Sequence, residues 1–138
     1  MVASANKIIV DSGPLVGYLD SSDQWHAWAN SFLASLPSPF LTCESVLSEA
    51  SYLLNGDDGL LEMLEIGMLE IAPLFPSQTI RIRALMEKYS PQMQLADACL
   101  VRLSELYPSA SVLTTDAADF RIYRRNRSEK IPLLLPDI

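Results

Sequence analysis

Short runs of aliphatic residues alternate along this 138-residue chain with longer segments whose apolar residues recur at helical spacing. The first run, Ile8 to Val10, is continuously apolar, which is typical of a strand covered on both faces in a parallel sheet. The alternation predicts βαβ units and therefore a three-layer α/β/α sandwich with a central parallel sheet. The predicted strands are 8–10, 40–42, 69–72, 112–115 and 133–135. The predicted helices begin at residue 12 and then span 23–36, 44–55, 57–68, 77–89 and 95–106.

The length of the chain is that of one ordinary domain, and 49% of its residues are hydrophobic. We therefore expect residues 1–138 to form a single domain around one core. The N-terminal sequence MVASANK lacks the apolar stretch of a signal peptide, and no apolar run approaches the length of a membrane span. These features predict a soluble, cytoplasmic protein.

Acidic residues stand at the ends of two predicted strands and beside the buried faces of two predicted helices. Asp11 closes the first strand, and Asp116 closes the strand that ends VLTTD. The carboxyl ends of parallel strands lie along one edge of the sheet, where such folds place their chemistry. Glu49 and Asp97 border the apolar stripes of their helices. Taken singly, Asp97 also suits the positive end of a helix, and Asp116 also suits a turn cap.

Four carboxylates that converge at one edge would be costly to the fold. Two of them about 4 Å apart repel by roughly 4 kcal/mol at an effective dielectric near 20, and burial adds a desolvation penalty. Such a cluster requires protons or cations. The two cysteines, Cys43 and Cys99, lie far apart without metal spacing and are expected to be buried, and there is one histidine. Oxygen ligands favour Mg²⁺ or Mn²⁺, which promote phosphodiester hydrolysis.

Four segments of the sequence resemble, in order and at ordinary spacing, the motifs of the PIN-domain family: IIVDSGPLVGYLD, TCESVLSEASYLL, LADACLVRL and VLTTDAADF. The resemblance runs from Ile8 to about Tyr123. Carried over by position, it implies that four acids are both catalytic and metal-binding, namely Asp11, Glu49, Asp97 and Asp116. It adds Asp119 as a further metal ligand, with Thr114 and Ser12 as supporting residues.

The PIN-domain resemblance implies an endoribonuclease that depends on Mg²⁺ or Mn²⁺. Many compact bacterial members are VapC-type toxins that form homodimers and are inhibited by a VapB-type antitoxin. The expected partners are therefore an RNA substrate, a cognate antitoxin and a second copy of the chain. Some members carry an extra acid just before the third-motif Asp, whereas QMQLA at 92–96 has none, so the number of bound ions stays open.

The sequence fits other function classes less well than an endoribonuclease. A non-catalytic PIN-like module that binds protein or RNA is the alternative, which the intact acid set disfavours. A haloacid-dehalogenase-type phosphatase needs a second Asp where Gly13 stands. A receiver domain needs adjacent acids, but Ser12 follows Asp11, and no Gly-rich phosphate loop is present.

The basic residues of this acidic chain are concentrated near its end. The formal net charge of −7 argues against non-specific electrostatic binding to nucleic acid. However, residues 1–120 carry fifteen acids and five bases, whereas residues 121–138 carry two acids and five bases. The segment RIYRRNRSEK (121–130) suits RNA phosphates, with Arg121 and Arg124 as the first candidates, or an acidic partner segment. A solvated, mobile loop is the other interpretation.

Aromatic residues cluster in the predicted helix 23–36. Trp25 and Trp28, beside His26, are compatible with a platform for nucleic-acid bases. Their helical spacing favours packing in the core or in a dimer. His26 is not expected to be a metal ligand or a catalytic base, because in this mechanism the metal supplies the activated water.

Overall fold

The protein is described by a computed structural model that covers residues 7–56 and 58–137. Its strands are β1 (Ile8–Val10), β2 (Phe40–Thr42), β3 (Leu69–Ile71), β4 (Ser111–Leu113), β5 (Arg124–Arg125), β6 (Glu129–Lys130) and β7 (Leu133–Leu134). Its helices are α1 (Ser12–Leu19), α2 (His26–Ser35), α3 (Glu44–Leu54), α4 (Asp58–Glu65), α5 (Thr79–Lys88), α6 (Leu95–Leu106) and α7 (Ala117–Phe120). No helix in the described part of the chain is long and apolar enough to cross a membrane.

Five strands form one parallel sheet in the order β3-β2-β1-β4-β7. The chain moves outward from β1 through β2 to β3, then returns to the other side of β1 to add β4 and β7. The strand order therefore reverses between β1 and β4. Ligands of open α/β sheets bind in the crevice at such a switch point, outside the carboxyl ends of the strands.

Both faces of the central sheet are covered by helices. Every residue of β1 and β2 is buried, and successive side chains of a strand point to opposite faces. Seven of the twelve residues of α6 are buried, so this helix lies in the core rather than at its margin. The predicted three-layer α/β/α sandwich with a parallel sheet is confirmed.

The helix predicted over residues 23–36 begins only at His26. The carboxylate of Asp23 accepts a hydrogen bond of 3.0 Å from the backbone N–H of Trp25. The carbonyl of Asp23 accepts one of 3.1 Å from the N–H of His26. These bonds form a turn in place of the first helical turn, since Asp side chains compete for backbone donors.

The helix predicted over residues 57–68 is shorter in the structure, where α4 ends at Glu65. Gly67 follows with a φ of 80°, a left-handed conformation that ends a helix and that glycine adopts at little cost. The predicted first residue, Asp57, lies outside the described residues, as do residues 1–6 and 138.

Two leucines that helical spacing assigns to buried faces are on the surface instead. Leu53 is 53% exposed on α3 and Leu61 is 48% exposed on α4. In α4 the buried positions are Leu60 and Met63, three residues apart. The buried face of each helix is therefore rotated slightly from the predicted face. Where two leucines are adjacent in the sequence, helical spacing alone does not tell which of them is buried.

Candidate active site

Asp11 and Thr114 lie side by side at the switch point of the sheet. Asp11 follows β1 and Thr114 follows β4, and these strands are neighbours in register. The hydroxyl of Thr114 donates to Asp11 Oδ2 at 2.7 Å, and the backbone N–H of Ser12 donates to Asp11 Oδ1 at 2.7 Å. Both oxygens of this carboxylate, in a residue only 6% exposed, are thus held in place. The assignment of Thr114 and Ser12 as supporting residues of a catalytic site stays a prediction.

Asp116 is tied to the same group through Thr114. Its backbone N–H donates to the Thr114 hydroxyl at 3.0 Å. Its carboxylate accepts a 3.1 Å bond from the N–H of Asp119, and so it caps helix α7. The turn-cap interpretation of Asp116 is therefore correct as geometry, and it places the carboxylate beside the end of β4.

Glu49 reaches the cluster from helix α3. The hydroxyl of Ser12 donates to Glu49 Oε1 at 2.8 Å, which links the start of α1 to the middle of α3. Ser12 is buried, whereas Glu49 is exposed. Ser12 therefore touches two of the acids, through its backbone to Asp11 and through its hydroxyl to Glu49.

Helix α6 supplies Asp97 in its first turn. The phenol of Tyr123 donates to Asp97 Oδ2 at 2.7 Å, and the Tyr123 side chain is fully buried. Sequence reasoning did not assign Tyr123 to the site. The sequence feature that could have identified Tyr123 is its spacing of three residues from Phe120. This spacing indicates a shared buried face at the start of the basic segment.

Asp119 lies at the edge of the cluster. Its Oδ1 accepts a 2.7 Å hydrogen bond from the side-chain amide of Gln92, which the sequence did not single out either. Gln92 belongs to the QMQLA stretch, where some PIN-domain proteins carry an extra acid. An amide here holds Asp119 by donating to it, whereas a carboxylate would repel it.

Glycine at position 13 allows α1 to approach the loop after β4 closely. A Cβ atom on Gly13 would collide with the side chain of Thr115. The close approach brings the N-terminus of α1 against the segment that carries Thr114 and Asp116. The SG pair after Asp11 therefore has a packing role in the site.

The pKa values show that the acids act on one another. Burial raises the pKa of Asp11 to about 6, its hydrogen bonds from Thr114 and Ser12 lower it, and repulsion from Asp97 and Glu49 raises it further. Burial also raises the pKa of Asp97, and repulsion from Asp116 and Asp119 adds to this.

Asp116 also interacts electrostatically with neighbouring acids. Burial is the first cause of its raised pKa, and the neighbouring carboxylates of Asp119 and Glu49 contribute. Each of the four predicted catalytic acids therefore interacts with at least one other acid of the set. The catalytic roles assigned to them from the sequence stay a prediction.

The carboxylates are held by hydrogen bonds to neighbouring groups and are not preorganised around a single cation position. Among the described residues, no three acidic, histidine or cysteine side chains are placed so that they would hold one metal ion together. The chemistry of the donor set fits Mg²⁺ or Mn²⁺, since it consists of carboxylate oxygens whose repulsion a cation would relieve. The assignment of Asp11, Glu49, Asp97, Asp116 and Asp119 as ligands stays a prediction.

The basic segment contains a short antiparallel hairpin, although seven of its ten residues are exposed. Strands β5 and β6 pair antiparallel within it. Arg125 is buried and donates to the carbonyl oxygens of Ser104 and Pro108 and to the carboxylate of Glu129. Short strands and the four-residue helix α7 escaped prediction because they are too brief to establish a period.

The two arginines proposed as phosphate contacts lie next to α7. Arg121 is exposed, and Arg124 is half-buried with its Nη1 donating to the carbonyl of Arg121 at 2.7 Å. Both line one cleft together with Lys130, which the sequence did not single out individually. Their assignment to RNA stays a prediction.

The remaining candidates have structural roles. Trp28 packs against the hydrophobic core and its ring centroid lies 5.2 Å from that of Phe32, as the helical spacing predicts. His26 Nδ1 lies 2.7 Å from the carbonyl oxygen of Gly17, and its other ring nitrogen lies 2.8 Å from the amide of Asn30. Both cysteines are buried and free, as expected.

Comparison with known proteins gives one informative relative. No family model matches the chain. The sequence is similar to Ribonuclease VapC26 of Mycobacterium tuberculosis, with 25% identity over 124 residues that cover 85% of this chain and 92% of that protein. The similarity therefore covers most of the chain, and it is to a protein named as a ribonuclease.

Proposed function

We propose that this protein is an endoribonuclease that depends on Mg²⁺ or Mn²⁺ and hydrolyses RNA phosphodiester bonds at the cluster of Asp11, Glu49, Asp97 and Asp116. The observation that carries the proposal is geometric: the buried Asp11 at the switch point is hydrogen-bonded to Ser12 and Thr114, which in turn bond the carboxylate of Glu49 and the backbone of Asp116. A fold retains such an arrangement when a cation neutralises it. The similarity to Ribonuclease VapC26 supports RNA as the substrate.

A divalent cation bound by these carboxylates would lower the pKa of a water molecule and neutralise charge on the phosphate. The residues of the chain fix where that happens. Thr114 and the Ser12 N–H orient Asp11, and the Ser12 hydroxyl orients Glu49. Tyr123 orients Asp97. Such bonds to metal-binding acids set the geometry of the ligands, and their loss costs about 10- to 100-fold in metal affinity or activity.

The proposal extends to a toxin-type nuclease. The PIN-domain resemblance implies a toxin that acts on cytoplasmic RNA, forms a homodimer and is inhibited by an antitoxin, and the similarity to Ribonuclease VapC26 supports the ribonuclease part of this proposal. A small neighbouring reading frame for a DNA-binding protein is expected if this is correct. A gene without such a neighbour would favour a free-standing nuclease.

The test of the proposed activity is RNA cleavage by purified protein. Structured RNA incubated with Mn²⁺ or Mg²⁺ should be cut, and chelator should stop the reaction. The variant Asp11→Asn should cut at least about 100-fold more slowly, the scale on which loss of one charge-stabilising group acts.

The matched control for this assay is Asp20→Asn, because Asp20 is hydrogen-bonded to Ser22 within its own turn. It should cleave like the parent protein. Equal cleavage by the parent and by Asp11→Asn, or cleavage that persists in chelator, would show that the acid cluster is not the catalytic site.

A further inference from the structure

A cleft of about 320 Å³ opens beside helix α7, next to the acid cluster but distinct from it. Three cationic side chains and three apolar ones line it: Phe120, Arg121, Arg124, Lys130, Ile131 and Leu133. Phe120 and Ile131 are buried and form its apolar floor, whereas Arg121 and Lys130 are exposed at its rim. The volume is at the lower end of the range for small-ligand sites, which suits about one nucleotide unit.

The charge of the cleft is opposite to that of the rest of the protein. None of the described residues that line it is acidic, although the chain carries a formal charge of −7. Three positive charges around one apolar recess attract an anion that also has an apolar part. A nucleotide has this composition.

The walls of the cleft are held rigidly. The buried Arg125 fixes β5 to the end of α6 through the carbonyl oxygens of Ser104 and Pro108. Lys88 of α5 donates to the carbonyl of Arg127 at 2.8 Å. Since these bonds anchor the hairpin of β5 and β6 at two points, Arg124 and Lys130 are presented from ordered backbone.

Helix α7 connects the cleft to the acids. Asp116 caps its N-terminus, and Phe120 and Arg121 stand at its C-terminus. A helix rises about 1.5 Å per residue, so these ends are only about 6 Å apart along its axis. Arg121 thus lies about one helical turn from Asp116, a proposed catalytic acid.

From this geometry, and resting on the proposed function, we propose that the cleft binds the nucleotide adjacent to the scissile phosphodiester. Arg121, Arg124 and Lys130 contact its phosphate, and the apolar floor receives its ribose or base. The cleft thereby provides the phosphate affinity that an acidic nuclease site lacks. Because Asp116, a proposed catalytic acid, caps the other end of α7, a nucleotide in the cleft would belong to the RNA strand that is cut, and an acidic segment of a partner protein is the alternative that the test decides.

Equilibrium binding of a fluorescent single-stranded RNA, measured in chelator over a range of salt concentrations, tests the cleft separately from cleavage. The double variant Arg121→Gln, Lys130→Gln should bind more weakly. It should also lower the slope of log K against log salt by up to about 0.7, since the one single-strand phosphate contacted in the cleft contributes about 0.7. Arg124 is left unchanged because it also bonds backbone carbonyls.

The control is Lys7→Gln. The Lys7 ammonium lies 3.8 Å from Glu70 of β3, at the sheet edge opposite β7 and the cleft. This variant should keep the parent slope, and thermal melting of all variants should verify that they are folded. A double variant with the parent slope and affinity, or a parent protein that binds no RNA, would overturn the cleft proposal.

The outcomes separate the cleft from the proposed activity. Cation-dependent RNA cleavage together with an unchanged salt slope would retain the nuclease and reject the cleft. A reduced slope without any cleavage by the parent would retain the cleft and reject the nuclease. A polyglutamate peptide that binds with the same dependence on Arg121 and Lys130, while RNA does not bind, would assign the cleft to an acidic partner and overturn the proposal.

Discussion

At the scale of single residues, Asp11 combines two roles that compete in free energy. Its carboxylate accepts from the first N–H of α1 and so caps that helix, which stabilises the charged form. Burial and the facing acids act the other way and leave its pKa at about 6. The cap fixes the position of the carboxylate. The raised pKa reflects the unfavourable free energy of ionising Asp11 at that position when no cation is bound.

The raised pKa predicts how stability depends on pH in chelator. The folded protein binds the Asp11 proton more tightly than the unfolded chain, whose pKa is 3.8. This stabilisation is complete below pH 3.8 and is lost as pH rises through about 6. From pH 7.5 to pH 5, Asp11 alone should add about 1.4 kcal/mol to the free energy of unfolding in urea. Asp97 and Asp116, also raised, act in the same direction.

The comparison is between Asp11→Asn and Asp20→Asn. The first should flatten the pH dependence between pH 5 and 7.5. The second should leave it unchanged, because hydrogen bonds from Ser22 lower the pKa of Asp20 and it titrates below this window. A parent protein that is more stable at pH 7.5 than at pH 5 would contradict the assigned burial of Asp11.

At the scale of elements, the sequence predicts regular structure well and its interruptions poorly. The strand 40–42 and the helix 95–106 are found with the predicted bounds, because continuous apolar runs and a long helical period identify them. The same patterns singled out the four acids, since Asp11 and Asp116 follow predicted strands and Glu49 and Asp97 border the apolar stripes of predicted helices. The sequence does not predict the side-chain hydrogen bond that shifts the start of α2, or the tertiary bond from Tyr123 to Asp97. Such bonds produce no regular spacing of apolar residues along the chain.

The hairpin of β5 and β6 illustrates the part that local sequence does not reveal. Its sequence resembles that of a charged loop, yet Arg125 is only 4% exposed and donates to the carbonyl oxygens of Ser104 and Pro108. Arg125→Met should lower the free energy of unfolding by about 2–4 kcal/mol, because it leaves those carbonyls without donors. Urea denaturation measures this change.

The matched substitution in the same segment is Arg121→Met. Arg121 is exposed, so its replacement should change stability by no more than about 0.5 kcal/mol. Similar effects of the two substitutions would mean that Arg125 does not anchor the hairpin, and the rigidity assigned to the cleft would be lost with it.

At the scale of the whole molecule, opposite charges are divided between two neighbouring surfaces. The acids gather where the strand order reverses, and the cations gather along the hairpin and α7. This division would allow a chain of net charge −7 to bind the polyanion that the proposed function requires. Under that proposal, a bound cation would make the acidic surface attractive to phosphate, and the basic cleft would orient the neighbouring nucleotide.

The central claim is that the cluster around Asp11 binds Mn²⁺ or Mg²⁺, and thermal melting tests it without relying on catalysis. The melting temperature of the parent protein should rise with added Mn²⁺ relative to chelator, by on the order of 8 °C at one hundred times the dissociation constant. Asp11→Asn should show a much smaller rise, and Asp20→Asn should respond like the parent. A parent melting temperature that is the same in Mn²⁺ and in chelator would contradict the account and favour a non-catalytic binding module.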